Sequence, residues 1–251
     1  MLANTTPTPQ GEHRESTLFT GKKALLLDMN STFMFGEDRF GEAEDFSARY
    51  FALGGKLPRD RINGIIRAAY DYLAERYPDE KYRHSFPSLE SAIRAVTNSS
   101  VDGEEMEKLI DTFAFHERGH IPDEYAAALH QLRQRFALAA VIDIWAPKGG
   151  WLKAFESAGI GGLFSALSFS SDHGMVKPSP KPFERVVDQL GISKREAIVV
   201  GDSPRRDLGG ALNAGIDCIL VGGAEHPSAL ASYVNLLDLV QAVGQGARSA
   251  P

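Results

Sequence analysis

Residues 22–32 read KKALLLDMNST, an apolar run of Ala24, Leu25, Leu26 and Leu27 that stops on the carboxylate of Asp28 and passes into Met29, Asn30, Ser31 and Thr32. Four consecutive apolar residues bounded by charge predict a short strand buried on both faces. A strand ending on Asp28 puts that carboxylate at the carboxyl edge of its sheet, where open α/β folds keep their ligands. An aspartate closing a strand also caps loops routinely, so the weight of Asp28 comes from what recurs downstream.

Four more apolar runs read as strands, at residues 137–142, 164–169, 197–200 and 218–221. Between them lie helical patterns: Trp151, Leu152 and Phe155 ending near Gly159, then Phe183, Val186, Val187 and Leu190 closed by Gly191, then Leu208, Ala211 and Leu212 closed by Gly215. Strands alternating with such helices predict an α/β fold, a doubly wound parallel sheet covered on both faces. From residue 36 to 118 the pattern is helical only. Ile62, Ile65, Ile66, Ala69, Tyr70 and Leu73 recur at spacings of three and four, as do Met106, Leu109, Ile110 and Phe113, with Pro58 and Pro87 placed to start helices. The expected organisation is a core of residues 21–35 and 119–245, an inserted helical cap over 36–118, a last helix over 236–243, and mobile tails at 1–20 and 246–251 that take no part in the fold.

With 251 residues, 43% hydrophobic and 24% charged, the chain is an ordinary globular one, long enough for a large α/β domain with an insertion. Its net charge is -6, and residues 36–118 hold most of the excess, with 17 acidic against 12 basic side chains. That balance argues against a nucleic-acid partner. The first 20 residues are polar, with neither an apolar signal core nor a spanning stretch, so no membrane association is expected. The single cysteine, Cys218, sits in an apolar run and reads as a small buried hydrophobe, in keeping with a reducing cytoplasm.

Three charged features stand at the ends of predicted strands: Asp28, then Lys177 within GMVKPSPKPF (174–183), then Asp202 and Asp207 within GDSPRRD (201–207). Each alone has a plain structural explanation, a solvated lysine or a helix-capping aspartate. Together, at one edge of one sheet, they make a site for a phosphoryl group and a divalent cation. A carboxylate approaching a phosphate meets repulsion of about 4 kcal/mol per charge pair at 4 Å and an effective dielectric of 20. A cation shared between the two cancels it, and hard oxygen ligands without a His or Cys cluster favour magnesium over zinc.

With these motifs the chain, from about residue 22 to 245, resembles the haloacid dehalogenase-like hydrolases, in the subclass with a helical cap inserted between the first and second motifs. The resemblance implies that Asp28 is a nucleophile forming an aspartyl phosphate and that Lys177 steadies it. It implies Mg²⁺ held by Asp28, Asp202 and the backbone carbonyl of Asn30, with Asp207 in support, and a small phosphorylated molecule as substrate. Two positions depart from the pattern. The acid expected two residues after the nucleophile is Asn30, an amide that donates hydrogen bonds but delivers no proton, where a positioned acid contributes about 10²- to 10⁴-fold. The phosphoryl-binding hydroxyl expected at the end of the second strand is replaced by Ile142 or, with a one-residue slip, by Asp143. Three readings follow: a slow phosphohydrolase or one specialised for good leaving groups, with Asp143 standing in as the acid; a metal-free dehalogenase, whose halide leaves without a proton; and a non-catalytic ligand- or partner-binding relative. Phe33, Phe35, Asp38 and Arg39, just past the nucleophile loop, are the candidate substrate contacts, Arg39 for a second anionic group.

Overall fold

The structure is a computed structural model that describes residues 18–248. Its sheet has six parallel strands in the order β3-β2-β1-β4-β5-β6. These are β1 Ala24–Leu27, β2 Ala137–Ile142, β3 Phe164–Phe169, β4 Ala197–Gly201, β5 Asp217–Leu220 and β6 Ala231–Ser232. Among the described residues the α-helices are α1 Ser47–Ala52, α2 Arg59–Arg76, α3 Leu89–Val96, α4 Gly103–Glu117, α5 Asp123–Arg133, α6 Gly149–Ser157, α7 Ser170–His173, α8 Lys181–Leu190, α9 Gly209–Ala214 and α10 Leu236–Arg248.

Strand β1 is central because all four of its residues are apolar and fully buried. Leu25 and Leu27 pack on one face with α5, α6 and α10 through Leu129, Leu132, Trp151, Phe155, Leu236 and Leu239. Ala24 and Leu26 pack on the other with Phe183, Val186 and Val187 of α8 and Ala211 of α9. Alternate residues of one strand thus bury against opposite helix layers, as the apolar runs required. Cys218 is buried in the second layer, and burial pushes its thiol up.

Helices α1 to α4 lie between β1 and β2 and continue the first apolar layer through Ile62, Ile66, Leu109 and Phe113. Ser88 caps α3 by accepting from Ser91 N–H, and Asp102 caps α4 by accepting from Glu105 N–H. The chain enters and leaves this segment side by side. Phe35 N–H donates to His120 O at 2.9 Å and His120 N–H to Phe35 O at 2.8 Å, and Arg39 N–H donates to His116 O at 2.9 Å. The approach requires Gly119, since a Cβ there would stand 2.4 Å from Phe35 O.

Several boundaries differ from the sequence reading. The fourth strand runs one residue further, to Gly201, and the fifth lies one residue earlier at both ends, Asp217–Leu220, and is followed by the two-residue β6, too short to carry an alternation signal. The final helix runs on to Arg248, so residues 246–248 are helical and not tail. Of the expected amino-terminal tail, residues 1–17 lie outside the described part. Phe19 is 3% exposed, with its ring 5.8 Å from that of Phe136, so it belongs to the core. An aromatic beside the start of β2 buries more apolar surface there than it could in solvent.

Candidate active site

Parallel pairing decides which residues meet. Leu27 is level with Ala140 of β2 and Val200 of β4, so Asp28, the end of β2 and the Gly201–Asp202 step leave the sheet at the same edge. Asp28 N–H donates to Val200 O at 2.8 Å, carrying the strand one residue further and leaving the carboxylate 6% exposed. Lys177 arrives on the loop after α7 and is 3% exposed. Its ammonium donates to Asp28 Oδ1 at 2.5 Å and to Asp207 Oδ1 at 2.7 Å. Asp207 is wholly buried within a π-helical turn, Pro204–Leu208, where Ser203 N–H donates to its Oδ2 at 3.0 Å. Oxygens of Asp28, Asp202 and Asp207 all lie within 4.8 Å of one another.

Three carboxylates and one ammonium leave the cluster short of positive charge. Burial, and next the Asp207 carboxylate, raise Asp28 to about 7, with Lys177 opposing. Asp202 is raised by burial and then by Asp207. Burial alone would lower Lys177, but Asp207 and Asp28 outweigh it and hold its ammonium charged. Arg206 Nη2 stands 3.7 Å from Asp202 Oδ1; burial lowers its guanidinium, but the carboxylates of Asp28, Asp207 and Asp202 help to raise it.

Asn30 lies in the turn after Asp28, where Ser31 takes a left-handed φ of 55° and Ser31 N–H donates to Met34 O at 2.9 Å. Asn30 Oδ1 and Asp202 Oδ1 are both buried without a hydrogen-bond partner among the described residues. A cluster of three carboxylates, one of whose oxygens is orphaned, is the all-oxygen donor set a hard divalent cation takes, and the residues present fit magnesium.

The slip at the end of β2 resolves to Asp143. Ile142 is 1% exposed and packs in the layer with Leu27 and Phe169, so it lines no site. Asp143 accepts Lys177 N–H at 2.8 Å and the Tyr77 hydroxyl at 2.7 Å on the same oxygen, and burial raises its carboxyl. Of the expected contacts after the nucleophile loop, Asp38 is raised to about 6 by burial and then by Glu37, with Arg206 of the cluster opposing, while Phe33, Phe35 and Arg39 are engaged elsewhere. Phe33 is fully buried against Phe155 and Phe164. Phe35 meets the ring of Tyr125 at 4.6 Å, beside the paired crossings. Arg39 donates to Gly36 O and Arg118 O at 2.7 Å and to Phe115 O, so its guanidinium is engaged by backbone carbonyls, those of Phe115 and Arg118 at the end of α4. Two residues that sequence reading passed over do reach the cluster. Tyr77 continues the apolar spacing of α2 and so reads as core, while Arg206 lay unremarked inside GDSPRRD.

A family model described as haloacid dehalogenase-like hydrolase matches residues 22–215. The chain belongs to the haloacid dehalogenase-like hydrolases. Among relatives of this hydrolase, pyrophosphatase PpaX of Halalkalibacterium halodurans is 30% identical over 212 residues, covering 76% of this chain and 94% of the relative. Phosphoserine phosphatase of Thermus thermophilus is 31% identical over 226 residues, covering 82% and 90%. The fold is shared with 2-haloacid dehalogenase from Pseudomonas syringae, with a TM-score of 0.61, 20% identity and coverage of 91% of this chain and 100% of that one. The phosphatase from Thermococcus onnurineus gives 0.60, with 20% identity over 89% and 98%. No described helix of the hydrolase is long and apolar enough to cross a membrane.

Proposed function

We propose that this hydrolase is a magnesium-dependent phosphatase of small phosphorylated molecules in the cytoplasm, working through an aspartyl phosphate on Asp28. The observation that carries the reading is the convergence of Lys177 on Asp28 and Asp207 beside Asp202. Asp28, Asp202 and Asn30 would hold the ion, with Asp207 behind them. Bound there, magnesium supplies the positive charge that offsets repulsion between carboxylate and phosphate and draws Asp28 down into its ionised form.

The remaining work falls to the protein. One oxygen of Asp28 attacks phosphorus, the P–O bond to the leaving group breaks, and Lys177 keeps the attacking carboxylate oriented. Water then attacks the acyl phosphate, releasing phosphate and restoring Asp28. Asn30 delivers no proton to the leaving oxygen, so the substrates best served are those that depart as stable anions, acyl phosphates and phosphoric anhydrides. The helices α1 to α4 serve as a cap, with the segment after α2 closed on the site and excluding water.

The test is turnover of acetyl phosphate, pyrophosphate and an aryl phosphate by wild type and Asp28→Asn, with magnesium and with excess EDTA. The proposal expects turnover lost without metal and lowered by about 10⁴-fold or more in Asp28→Asn. Activity on a 2-haloacid in EDTA would instead establish a dehalogenase. Absence of all turnover while beryllium fluoride still binds with magnesium would establish a binding protein.

A further inference from the structure

The segment between α2 and α3 is tied to the sheet edge by a row of hydrogen bonds. Phe86 N–H donates to Gly174 O at 2.7 Å and Val176 N–H to Arg83 O at 3.0 Å, His84 Nδ1 pairs with Ser179 Oγ at 3.1 Å, and Arg205 donates to Pro78 O at 2.9 Å. At its start stands Tyr77, packed against the rings of Phe86 at 5.7 Å and Trp145 at 5.8 Å. Its hydroxyl donates to Asp143 Oδ2 at 2.7 Å. That oxygen also accepts the backbone N–H of Lys177, whose ammonium bridges Asp28 and Asp207.

We infer that Tyr77 is a positioning residue: by donating to Asp143 it holds the main chain at Lys177, so that the ammonium aligns Asp28 only while the segment after α2 is docked. The inference rests on the phosphatase reading for its kinetic consequence and on geometry alone for the positioning. Burial followed by Asp143 raises the Tyr77 phenol, which keeps the proton that the contact needs. A carboxylate oxygen accepting two donors is a junction, and loss of either donor frees the other to shift. Substrate contact is not required of Tyr77. Its effect on chemistry passes through Asp143 and Lys177.

Two measurements on the full chain decide it. In kinetics with acetyl phosphate and magnesium, Tyr77→Phe and Asp143→Ala are each expected to lower kcat by roughly 10- to 100-fold, the range of a lost hydrogen bond to a charged group, with little change in KM. The double variant should fall no further than the lower single, and Asp143→Asn, which keeps an acceptor oxygen, should retain most of the turnover. In ¹⁵N-lysine NMR spectra recorded without substrate, the ammonium resonance of Lys177, identified by its loss in Lys177→Met, should be resolved in wild type and broadened in Tyr77→Phe. Unchanged kcat in Tyr77→Phe, multiplicative losses in the double variant, or an unaltered Lys177 resonance would each overturn the inference. A wild type with no turnover would strike the phosphatase reading, and the Lys177 resonance would still decide the positioning.

Discussion

Gly201 lies directly beneath the carboxylate of Asp207: a Cβ built on the glycine would stand 2.3 Å from Asp207 Cγ and 2.5 Å from its Oδ2. The last residue of β4 is therefore held to glycine by the side chain six positions later. Gly201→Ala is expected to displace Asp207 from Lys177 and from Ser203 N–H, at a stability cost of about 1–3 kcal/mol. Urea unfolding reads the loss, and magnesium titration calorimetry should show weakened binding in the same variant. Unaltered stability and affinity would mean that Asp207 has room to move.

Lys177→Ala leaves Asp28 and Asp207 buried without their cation, which typically costs about 3–5 kcal/mol. The loss should depend on pH. Asp28 is raised from 3.8 to about 7, so the folded state binds more protons than the unfolded one between those values, and stability from this group falls as pH rises through 7. Without Lys177 to oppose the shift, Asp28 rises further. Thermal melts in EDTA should show a larger wild-type to variant gap at pH 8 than at pH 5.

Glu117 ends α4 with its carboxylate accepting Trp145 N–H at 2.5 Å and Ala146 N–H at 2.9 Å, and burial raises it to about 8, with the two N–H groups opposing. The folded protein thus holds this proton where the unfolded chain, near 4.5, releases it. Its stabilising share is complete below 4.5 and is lost as pH climbs through 8, at no more than about 1.4 kcal/mol per pH unit. Glu117→Gln should flatten the decline in melting temperature between pH 5 and 9, while lowering stability at acid pH through one mismatched N–H. A slope equal to that of wild type would place the titration elsewhere.

Asn30→Asp restores a proton donor beside the nucleophile. Turnover of an aryl phosphate is expected to rise, by as much as about 10²- to 10⁴-fold if the new carboxyl is well placed. Acetyl phosphate, whose leaving group needs no proton, should gain far less. Equal gains, or none, would mean that Asn30 does not face the leaving oxygen.

The order of strands and helices was legible because apolar runs ending in charge mark a buried parallel sheet; Asp28 and Asp202 were legible because each stands just past such a run, and Lys177 and Asp207 because they fall in the motifs that follow the third and fourth strands. Asp143 was caught only within one residue, since the apolar run AAVI does not say where a strand stops facing core and starts facing a ligand. The engagement of Arg39 by carbonyls was not legible, because Gly36, Phe115 and Arg118 come within its reach only when the two ends of the insertion pair. Tyr77 was invisible for a different reason: its ring obeys the spacing of α2, and only the tertiary fold turns its hydroxyl toward Asp143. Phe19 was hidden because it and Leu18 are an isolated apolar pair at the end of a polar stretch.

The pairing of Phe35 with His120 and of Arg39 with His116 leaves the two ends of the inserted helices within one hydrogen bond of each other. A segment whose entry and exit coincide can be excised and bridged by a tight turn, or exchanged for one of another length, without asking the sheet to reach across a gap. The length of that insertion can in this sense vary without any change in strand spacing, so long as the replacement still brings a hydroxyl to Asp143 as Tyr77 does.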